Sequence, residues 1–263
     1  MDGGKRTRAV AAVTGAAQGI GQSTALLLGE RGFALALGDL RPCTETLASL
    51  RQRGVEALEC TGDLADESLA ARFAAMVRER WGRADVLVNN AGISFIAPAE
   101  TVSAQDFRRV LDVNLVAPFL LAKTFGAMML ERGSGSIVNV ASIAGLTGIA
   151  DRTAYNASKH GLIGLTRTLA AEWGGRGVRC NAVCPGWVKT AMDDAAQGAG
   201  IYADADITDR VPMARFATPD DVARAIAFLA DPAASGFVNG HTLVVDGGWT
   251  ADGSWQSLRL AHR

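Results

Sequence analysis

Short apolar runs alternate with longer segments in which apolar residues recur at helical spacing. Seven runs have the length and residue types of strands: Ala9–Val13, Ala34–Leu37, Ala57–Cys60, Val86–Val88, Ser136–Val140, Arg179–Val183 and Thr242–Val245. Four segments between them have helical spacing: Ile20–Arg31, Glu67–Trp81, Ala104–Arg132 and Tyr155–Trp173. Strands that alternate with helices pair in parallel, and right-handed crossovers place the helices on both sides. The pattern therefore predicts an α/β fold with a doubly wound, seven-stranded parallel sheet and helices on both faces.

No proline-rich or serine-rich linker divides the chain, so we expect residues 1–263 to form a single domain. Residues 191–215 have no apolar period and carry several aspartates, which predicts a mobile loop. A helix is expected to begin after it, with Thr218 as N-cap and Pro219 in the first turn. Residues 249–263 contain Trp249 and Trp255 and are too apolar for a frayed tail, so we expect them to cover a surface.

Charge and composition exclude several classes of protein. The 263 residues include 26 Lys and Arg against 27 Asp and Glu, which leaves no electrostatic footprint for nucleic acid or an acidic membrane. The longest apolar stretch, residues 110–130, is interrupted by Asp112, Asn114 and Lys123, so no membrane span is predicted. Four scattered cysteines and three histidines suggest neither a disulfide framework nor a metal site. We expect reduced thiols and a cytoplasmic protein.

A glycine-rich turn follows the first predicted strand and opens a helix. Residues 14–21 read TGAAQGIG, with glycines at positions 15, 19 and 21. Such a turn lets the backbone approach a pyrophosphate, whose charge is met by the amide groups and dipole of the helix start. Glycine turns also serve simple strand-to-helix packing, so the turn alone leaves both interpretations open.

Asp39 closes the second predicted strand, 18 residues after Gly21. A carboxylate there can accept hydrogen bonds from the adenosine ribose and repel a 2′-phosphate, which favours NAD over NADP. Arg41 is the one nearby feature that would admit NADP. The alternative interpretation is that Asp39 caps the next helix, although Pro42 and Thr44 could begin that helix themselves.

Tyr155 and Lys159 are four residues apart in a predicted helix, so their side chains share one face. A neighbouring ammonium stabilises a phenolate and should lower the pKa of the Tyr155 phenol. The pair could therefore exchange protons with a substrate, although the same spacing also occurs by chance on surface helices.

Several motifs in order resemble the short-chain dehydrogenase/reductase family, from about residue 8 to residue 248: Thr14–Gly21, Asn89-Asn90-Ala91-Gly92, Asn114, Ser142, Tyr155-x3-Lys159 and Pro185-Gly186. The resemblance implies a Rossmann-like fold. It also implies that Tyr155 is the general acid/base, that Ser142 hydrogen-bonds the reacting oxygen and that Asn114 supports a proton-relay water. Lys159 would lower the pKa of Tyr155 and hold the nicotinamide ribose. Hydride transfer to a carbonyl requires an acid and a second donor at one oxygen, which agrees with these roles.

The resemblance further implies a set of cofactor contacts at the strand ends: Gly15, Gln18, Ile20, Asp39, Leu40, Asp63, Leu64, Asn90, Ala91, Gly92, Tyr155, Lys159, Pro185, Gly186, Val188 and Thr190. Asn89 is expected to be structural. Cys180 and Cys184 are expected to be small buried hydrophobes, because no base or cation beside them would generate a thiolate.

The substrate pocket is expected beyond the carboxyl ends of the strands. Its predicted walls are the loop 191–215 and Ser94, Phe95, Ala144, Arg152 and Trp187. Arg152 could bind a carboxylate or several hydroxyls, or it could simply be a solvated arginine before a helix.

We expect an NAD-dependent dehydrogenase of a sugar, polyol or small hydroxy acid. The alternatives are an NADPH-dependent 3-oxoacyl thioester reductase and a non-catalytic NAD-binding sensor or scaffold. The family resemblance implies a homotetramer, in which the tail after Gly248 would pack on a neighbouring subunit.

Overall fold

A single seven-stranded parallel sheet forms the centre of the computed structural model, which describes residues 8–190, 203–255 and 258. Its strands are β1 (Val10–Thr14), β2 (Ala34–Asp39), β3 (Ala57–Thr61), β4 (Val86–Asn89), β5 (Gly135–Val140), β6 (Val178–Pro185) and β7 (Thr242–Val245). They lie in the order β3-β2-β1-β4-β5-β6-β7. The predicted sheet is confirmed, and each predicted strand agrees within two residues at either end. The order reverses between β1 and β4, so the expected ligand crevice lies beyond their carboxyl ends.

Helices cover both faces of this sheet. They are α1 (Gly19–Glu30), α2 (Thr44–Gln52), α3 (Glu67–Trp81), α4 (Ala104–Leu111), α5 (Ala117–Arg132), α6 (Thr153–Trp173), α7 (Asp204–Thr208), α8 (Pro219–Ala230) and α9 (Pro232–Ser235). The predicted helix over 104–132 is present, but a π-helical turn at Asp112–Val116 separates α4 from α5. At the predicted start of α8, the Thr218 hydroxyl accepts from the Asp221 amide and the Asp221 carboxylate accepts from the Thr218 amide.

The expectation of an irregular loop over 191–215 is wrong for part of that segment. Residues 191–202 lie outside the described part of the chain, and residues 204–208 form α7. The Asp206 carboxylate accepts from the Ala203 amide at 2.8 Å, and Ile207 is buried beneath the helix. The aspartates therefore supply a cap to a short helix that a single apolar side chain anchors.

The core consists of two apolar layers, one on each face of the sheet. Alternate residues of β1 point to opposite layers, as strand geometry requires: Val10 and Ala12 to one, Ala11 and Val13 to the other. The first layer is filled by α3, α5 and α6, and the second by α1, α2 and α8. Both faces of the central strands are therefore covered, and the carboxyl-terminal edge carries the site.

One helical segment of the described residues, Ala104–Arg132, is long and apolar enough to cross a membrane. In the fold, 56% of its most apolar window is buried, and Leu121 and Phe125 pack in the first apolar layer. Its apolar character is thus accounted for by core packing. All four cysteines of the chain are free and buried.

Candidate active site

A cleft of about 510 Å³ opens at the carboxyl ends of the strands. Residues after β2 and β3 line it on one side of β1, and residues after β5 and β6 line it on the other. All the cofactor residues implied by the sequence resemblance line this cleft, together with Ser142, Ser94, Arg152 and Trp187. Asn114 and Ala144 do not, because both are fully buried.

Two glycines of the turn between β1 and α1 are required because a side chain at either position would clash with neighbouring atoms of the protein. A Cβ atom on Gly21 would lie 2.1 Å from the Gly15 carbonyl oxygen, and one on Gly15 would lie 2.7 Å from the Asn90 amide nitrogen. Gly19 differs, because its φ of +58° is left-handed and its nearest neighbour would be Thr190 at 3.6 Å. Gly15 and Gly21 therefore allow the strand and the helix to pack closely, whereas Gly19 leaves room for a ligand to approach the turn.

The first turn of α1 fits a bound pyrophosphate. Its N-cap residue, Gln18, makes no side-chain hydrogen bond to the helix amides, and the turn contains no acidic residue. Gln18, Gly19 and Ile20 all line the cleft. An uncapped helix start retains its amide donors and the positive end of the helix dipole for an anion.

Asp39 joins the end of β2 to the glycine turn. Its Oδ2 accepts from the Ala17 amide at 2.9 Å and its Oδ1 accepts from the Arg41 amide at 3.0 Å. Each carboxylate oxygen can accept a second hydrogen bond, so the two amides orient the group without exhausting it. Asp39 is only 9% exposed and lines the cleft, as a ribose-binding carboxylate must.

Arg109 of α4 also lines the cleft and was not predicted from the sequence. Its Nη1 lies 2.7 Å from Oδ2 of Asp63, whose Oδ1 accepts from the Ala65 amide. The pair is 46 residues apart in the chain and depends on how α4 packs, so no local pattern marks it.

The segment after β4 is fixed by Thr14. The Thr14 hydroxyl accepts from the amides of Asn90 and Ala91 at 3.0 Å, and the Asn90 side chain donates to the Thr14 carbonyl. Asn89 points away from the cleft and donates to Asn139 at 2.8 Å, which is a structural role.

Ser142 and Tyr155 both line the cleft, and the Ser142 hydroxyl lies near enough to the Tyr155 phenol to lower its pKa. Ser142 also accepts from the Ala144 amide at 3.1 Å, and Ala144, which the sequence placed in the wall of the substrate pocket, is buried and does not line the cleft. Burial raises the pKa of Tyr155, and the nearby Ser142 hydroxyl and the charge of Arg152 offset this only in part.

Lys159 does not lower the pKa of Tyr155 to the extent the sequence argument expected. Its Nζ lies 5.6 Å from the centroid of the Tyr155 ring and donates to the Val140 carbonyl at 2.8 Å. Burial lowers the pKa of Lys159 itself to about 8. Loss of water around each group disfavours its charged form, which raises the pKa of Tyr155 and lowers that of Lys159.

Asn114 lies on the π-helical turn and is completely enclosed. Its Nδ2 donates to the Ile93 carbonyl and to the Ser158 hydroxyl, and its Oδ1 accepts from the Ile93 amide at 2.8 Å. The Ser158 hydroxyl in turn donates to the Tyr155 carbonyl at 2.7 Å. The Asn114 side chain thus ties the segment after β4 to the helix that carries Tyr155.

The substrate side of the cleft contains most of the predicted wall residues. Ser94, Arg152 and Trp187 line it, and Ile96 and Ile149 add apolar surface. Phe95 is 36% exposed and lies outside the lining, whereas its neighbours Ser94 and Ile96 line the cleft.

Cys180 and Cys184 behave as the sequence predicted. Both are buried, and burial raises their pKa values to about 12 and about 11. Neither thiol is a nucleophile at neutral pH.

Comparisons with known proteins agree with this site. A family model described as enoyl-(acyl carrier protein) reductase matches residues 15–250. The chain is 43% identical to a D-threitol dehydrogenase of Mycolicibacterium smegmatis, over 92% of both chains. It is 44% identical to a cis-4-hydroxycyclohexanecarboxylate dehydrogenase of Sinomonas cyclohexanicum, over 92% of this chain and 96% of the relative.

A solved structure is equally similar. The crystal structure of a candidate NAD(P)-dependent gluconate 5-dehydrogenase from Beutenbergia cavernae contains NADP at low occupancy. It is 44% identical, superposes with a TM-score of 0.87, and the match covers 93% of this chain and 97% of that one. The fold, the ordered motifs and these relatives agree: the chain belongs to the short-chain dehydrogenase/reductase family and is an oxidoreductase that transfers a hydride between a nicotinamide cofactor and a CH–OH group.

Proposed function

We propose that this enzyme is an NAD-dependent dehydrogenase that oxidises a secondary alcohol of a sugar, polyol or small hydroxy acid. The observation that carries the proposal is that the Ser142–Tyr155 pair and Asp39 line the same cleft. One end of the cleft then handles the reacting oxygen and the other holds the adenosine ribose. Relatives that act on D-threitol and on a hydroxycyclohexanecarboxylate support this range of substrates.

The residues at the reacting end perform the proton chemistry. A bound nicotinamide supplies the hydride acceptor in oxidation and the hydride donor in reduction. Tyr155 accepts the hydroxyl proton in oxidation and returns a proton to the ketone oxygen in reduction. The Ser142 hydroxyl donates a second hydrogen bond to the reacting oxygen and stabilises the charge that develops there.

The raised pKa of Tyr155 gives the two directions opposite pH dependence. At neutral pH the phenol keeps its proton, which suits donation to a ketone. Oxidation needs the phenolate, whose fraction grows as the pH approaches the raised pKa. We therefore expect oxidation to become faster between about pH 7 and 10 while reduction does not, as initial rates in each direction would show.

Asp39 supports NAD as the cofactor. Its carboxylate lies in the cleft wall, and a 2′-phosphate beside it would meet repulsion that two backbone amides do not cancel. The relative from Beutenbergia cavernae binds NADP, and Arg41 also lines the cleft of this chain. We expect the charge of Asp39 to influence the choice of cofactor more than that of Arg41, because Arg41 is exposed and water screens its charge.

We also propose a cytoplasmic homotetramer with a small-molecule substrate and without a nucleic-acid or membrane partner. The free, buried cysteines suit a reducing compartment. The tail does not lie wholly on a neighbour, because Trp249 packs against Trp187 of its own subunit. Trp255 is 68% exposed and is the residue we assign to the subunit contact. Light scattering should show a smaller particle for Trp255→Asp.

The test is an absorbance assay of reduced nicotinamide with NAD and NADP over sugars, polyols, hydroxy acids and 3-hydroxyacyl thioesters. Turnover with NAD and a polyhydroxylated or hydroxy-acid substrate, lost in Tyr155→Phe, is the expected result. Preference for NADP and thioesters would instead identify a 3-oxoacyl thioester reductase. Tight NAD binding without turnover of any compound would identify a sensor.

A further inference from the structure

Arg152 carries a positive charge that no described residue neutralises. It is half-buried in the cleft wall, three residues before Tyr155, and its guanidinium lies 5.5 Å from the centre of the Trp187 ring. Within residues 8–190, 203–255 and 258, no carboxylate forms an ion pair with it. A guanidinium that has lost part of its water and stacks on an aromatic face keeps its in-plane donors for another group.

The backbone before Arg152 is held in an unusual conformation. Asp151 has a φ of +59°, in the left-handed region that non-glycine residues rarely occupy. Its carbonyl accepts from the Ala97 amide at 2.9 Å, which ties this turn to the segment after β4. Such conformations persist where the surrounding structure enforces them, and here the enforced turn directs the next side chain into the cleft.

Trp187 is itself supported from behind by a second stack. The Trp249 ring lies 5.9 Å from the Trp187 ring, and the Arg210 guanidinium lies 4.7 Å from the Trp249 ring. Arg210 is paired with Asp252, to whose carbonyl it donates at 3.1 Å. We call the series Arg152, Trp187, Trp249, Arg210 and Asp252 the cation–aromatic stack.

The two arginines of this stack differ in a way that indicates a ligand. Arg210, at the outer end, is satisfied by Asp252, whereas Arg152, at the inner end, faces the cleft without a described counter-charge. The Ser94 hydroxyl is also buried at the cleft and has no hydrogen-bond partner. A planar cation and a free hydroxyl beside the reacting tyrosine are the groups that bind a carboxylate.

We propose that Arg152 receives a carboxylate of the substrate, which makes the substrate a hydroxy acid or sugar acid and not a neutral alcohol. The inference rests on the proposed function and narrows it to one substrate class. The carboxylate is a group separate from the reacting hydroxyl, because Ser142 and Tyr155 bind the reacting oxygen while Arg152 binds the acid. Trp249 is a positioning residue: it touches no substrate and holds Trp187 as the platform for Arg152.

The first experiment compares matched acid and neutral substrates in wild type and Arg152→Met. Suitable pairs are D-gluconate with D-glucitol, and cis-4-hydroxycyclohexanecarboxylate with its carboxamide. A charge-assisted bidentate contact corresponds to about 10- to 100-fold in kcat/KM, so the acid-to-neutral ratio should fall by that factor in Arg152→Met. Arg152→Lys should recover only part of it, because an ammonium lacks the planar fork.

The second experiment measures binding without turnover. Cyclohexanecarboxylate has no carbinol and cannot react, so its dissociation constant by calorimetry reports the carboxylate contact alone. We expect wild type to bind it at least about tenfold more tightly than Arg152→Met does. Equal dissociation constants would overturn the assignment, whatever the effect of Arg152→Met on turnover.

Trp249 is tested by a split between KM and kcat. Trp249→Ala should raise KM for the acid about fivefold with little change in kcat, and Trp249→Phe should restore it, because a phenyl ring can still support Trp187. Phe237→Ala, which removes a fully exposed aromatic ring outside the stack, is the control and should leave both constants unchanged. An equal loss for acid and neutral substrates in Trp249→Ala would show a merely structural role.

The outcomes separate the inference from the function beneath it. If wild type converted neutral polyols and their acids with the same kcat/KM, the inference that Arg152 binds a carboxylate would be wrong. The proposed dehydrogenase activity would still stand. Absence of turnover with every alcohol and acid would overturn both.

Discussion

The two ends of the substrate region are built in different ways. At the reacting end, polar side chains are fixed by main-chain atoms of neighbouring elements, as Lys159 is by the Val140 carbonyl and Asn114 by both backbone groups of Ile93. At the substrate end, the side chains of Arg152, Trp187 and Trp249 stack on one another. Main-chain anchors hold their positions when neighbouring side chains change, whereas a stack of side chains changes as a unit. The residues of the reacting end are thus held by main-chain hydrogen bonds, whereas the residues that select the substrate are held by side-chain stacking.

The largest effect should come from removing the proton donor at the reacting end. Tyr155→Phe keeps the ring and its packing but deletes the hydroxyl that lies beside Ser142 in the cleft. We expect kcat to fall by about 10²- to 10⁴-fold, the range of general acid–base catalysis, with NAD binding retained. Steady-state rates and nucleotide titration measure the two separately. A Tyr155→Phe enzyme with near-normal kcat would place the proton transfer elsewhere.

Removing a main-chain anchor should cost stability as well as activity. Asn114→Ala leaves the Ile93 amide, the Ile93 carbonyl and the Ser158 hydroxyl without their buried partner. Unsatisfied buried groups cost about 1–3 kcal/mol each, so the free energy of unfolding should fall by about 3 kcal/mol in urea denaturation. Trp249→Ala, from the side-chain stack, is the comparison and should lower it less. The reverse order would contradict the proposed difference between the two ends.

Burial of Lys159 should appear as a pH-dependent stability difference. Its pKa is lowered to about 8 from 10.5, so below pH 8 the fold bears the full cost of the buried charge. As the pH rises from 8 to 10.5, the folded protein releases the proton before the unfolded chain does, and the stability contribution of Lys159 increases. Wild type should therefore gain up to about 3 kcal/mol relative to Lys159→Met across this range.

That gain is measured by denaturation of both proteins at each pH. The lost hydrogen bond to Val140 is a constant offset, so the slope alone carries the test. A difference that does not change between pH 7 and pH 10.5 would show that Lys159 titrates normally.

The smallest effect is expected at the nucleotide end, far from both regions compared above. Asp39→Ala removes the carboxylate that accepts from the Ala17 and Arg41 amides and leaves Arg41 as the nearest charge. The ratio of kcat/KM for NAD to that for NADP should fall about tenfold or more, equivalent to at least about 1.4 kcal/mol. Unchanged values with both nucleotides would remove Asp39 from cofactor selection.

The sequence predicted the sheet and the reacting end well because their signals are local. Each strand is a short apolar run, and Tyr155 and Lys159 share a helix face through a spacing of four residues. The glycine turn is marked in the same way, although the structure assigns Gly15 and Gly21 to internal packing.

What the sequence could not predict depends on contacts between distant elements. Trp187 and Trp249 are 62 residues apart, and no local sequence pattern predicts that their rings are in contact. The π-helical turn at Asp112–Val116 and the burial of Ala144 likewise follow from tertiary packing. The net direction of the Tyr155 pKa was wrong for the same reason, since the loss of water around a residue is a property of the assembled fold.

The central claim is that this cleft transfers a hydride from a carbinol carbon to nicotinamide, with Tyr155 taking the proton. The most direct measurement uses a substrate deuterated at the carbinol carbon and follows deuterium at C4 of the nicotinamide by NMR. We expect wild type to transfer deuterium stoichiometrically to one face of the nicotinamide ring, and we expect this transfer to be lost in Tyr155→Phe. Oxidised product formed without deuterium in the nucleotide would contradict it.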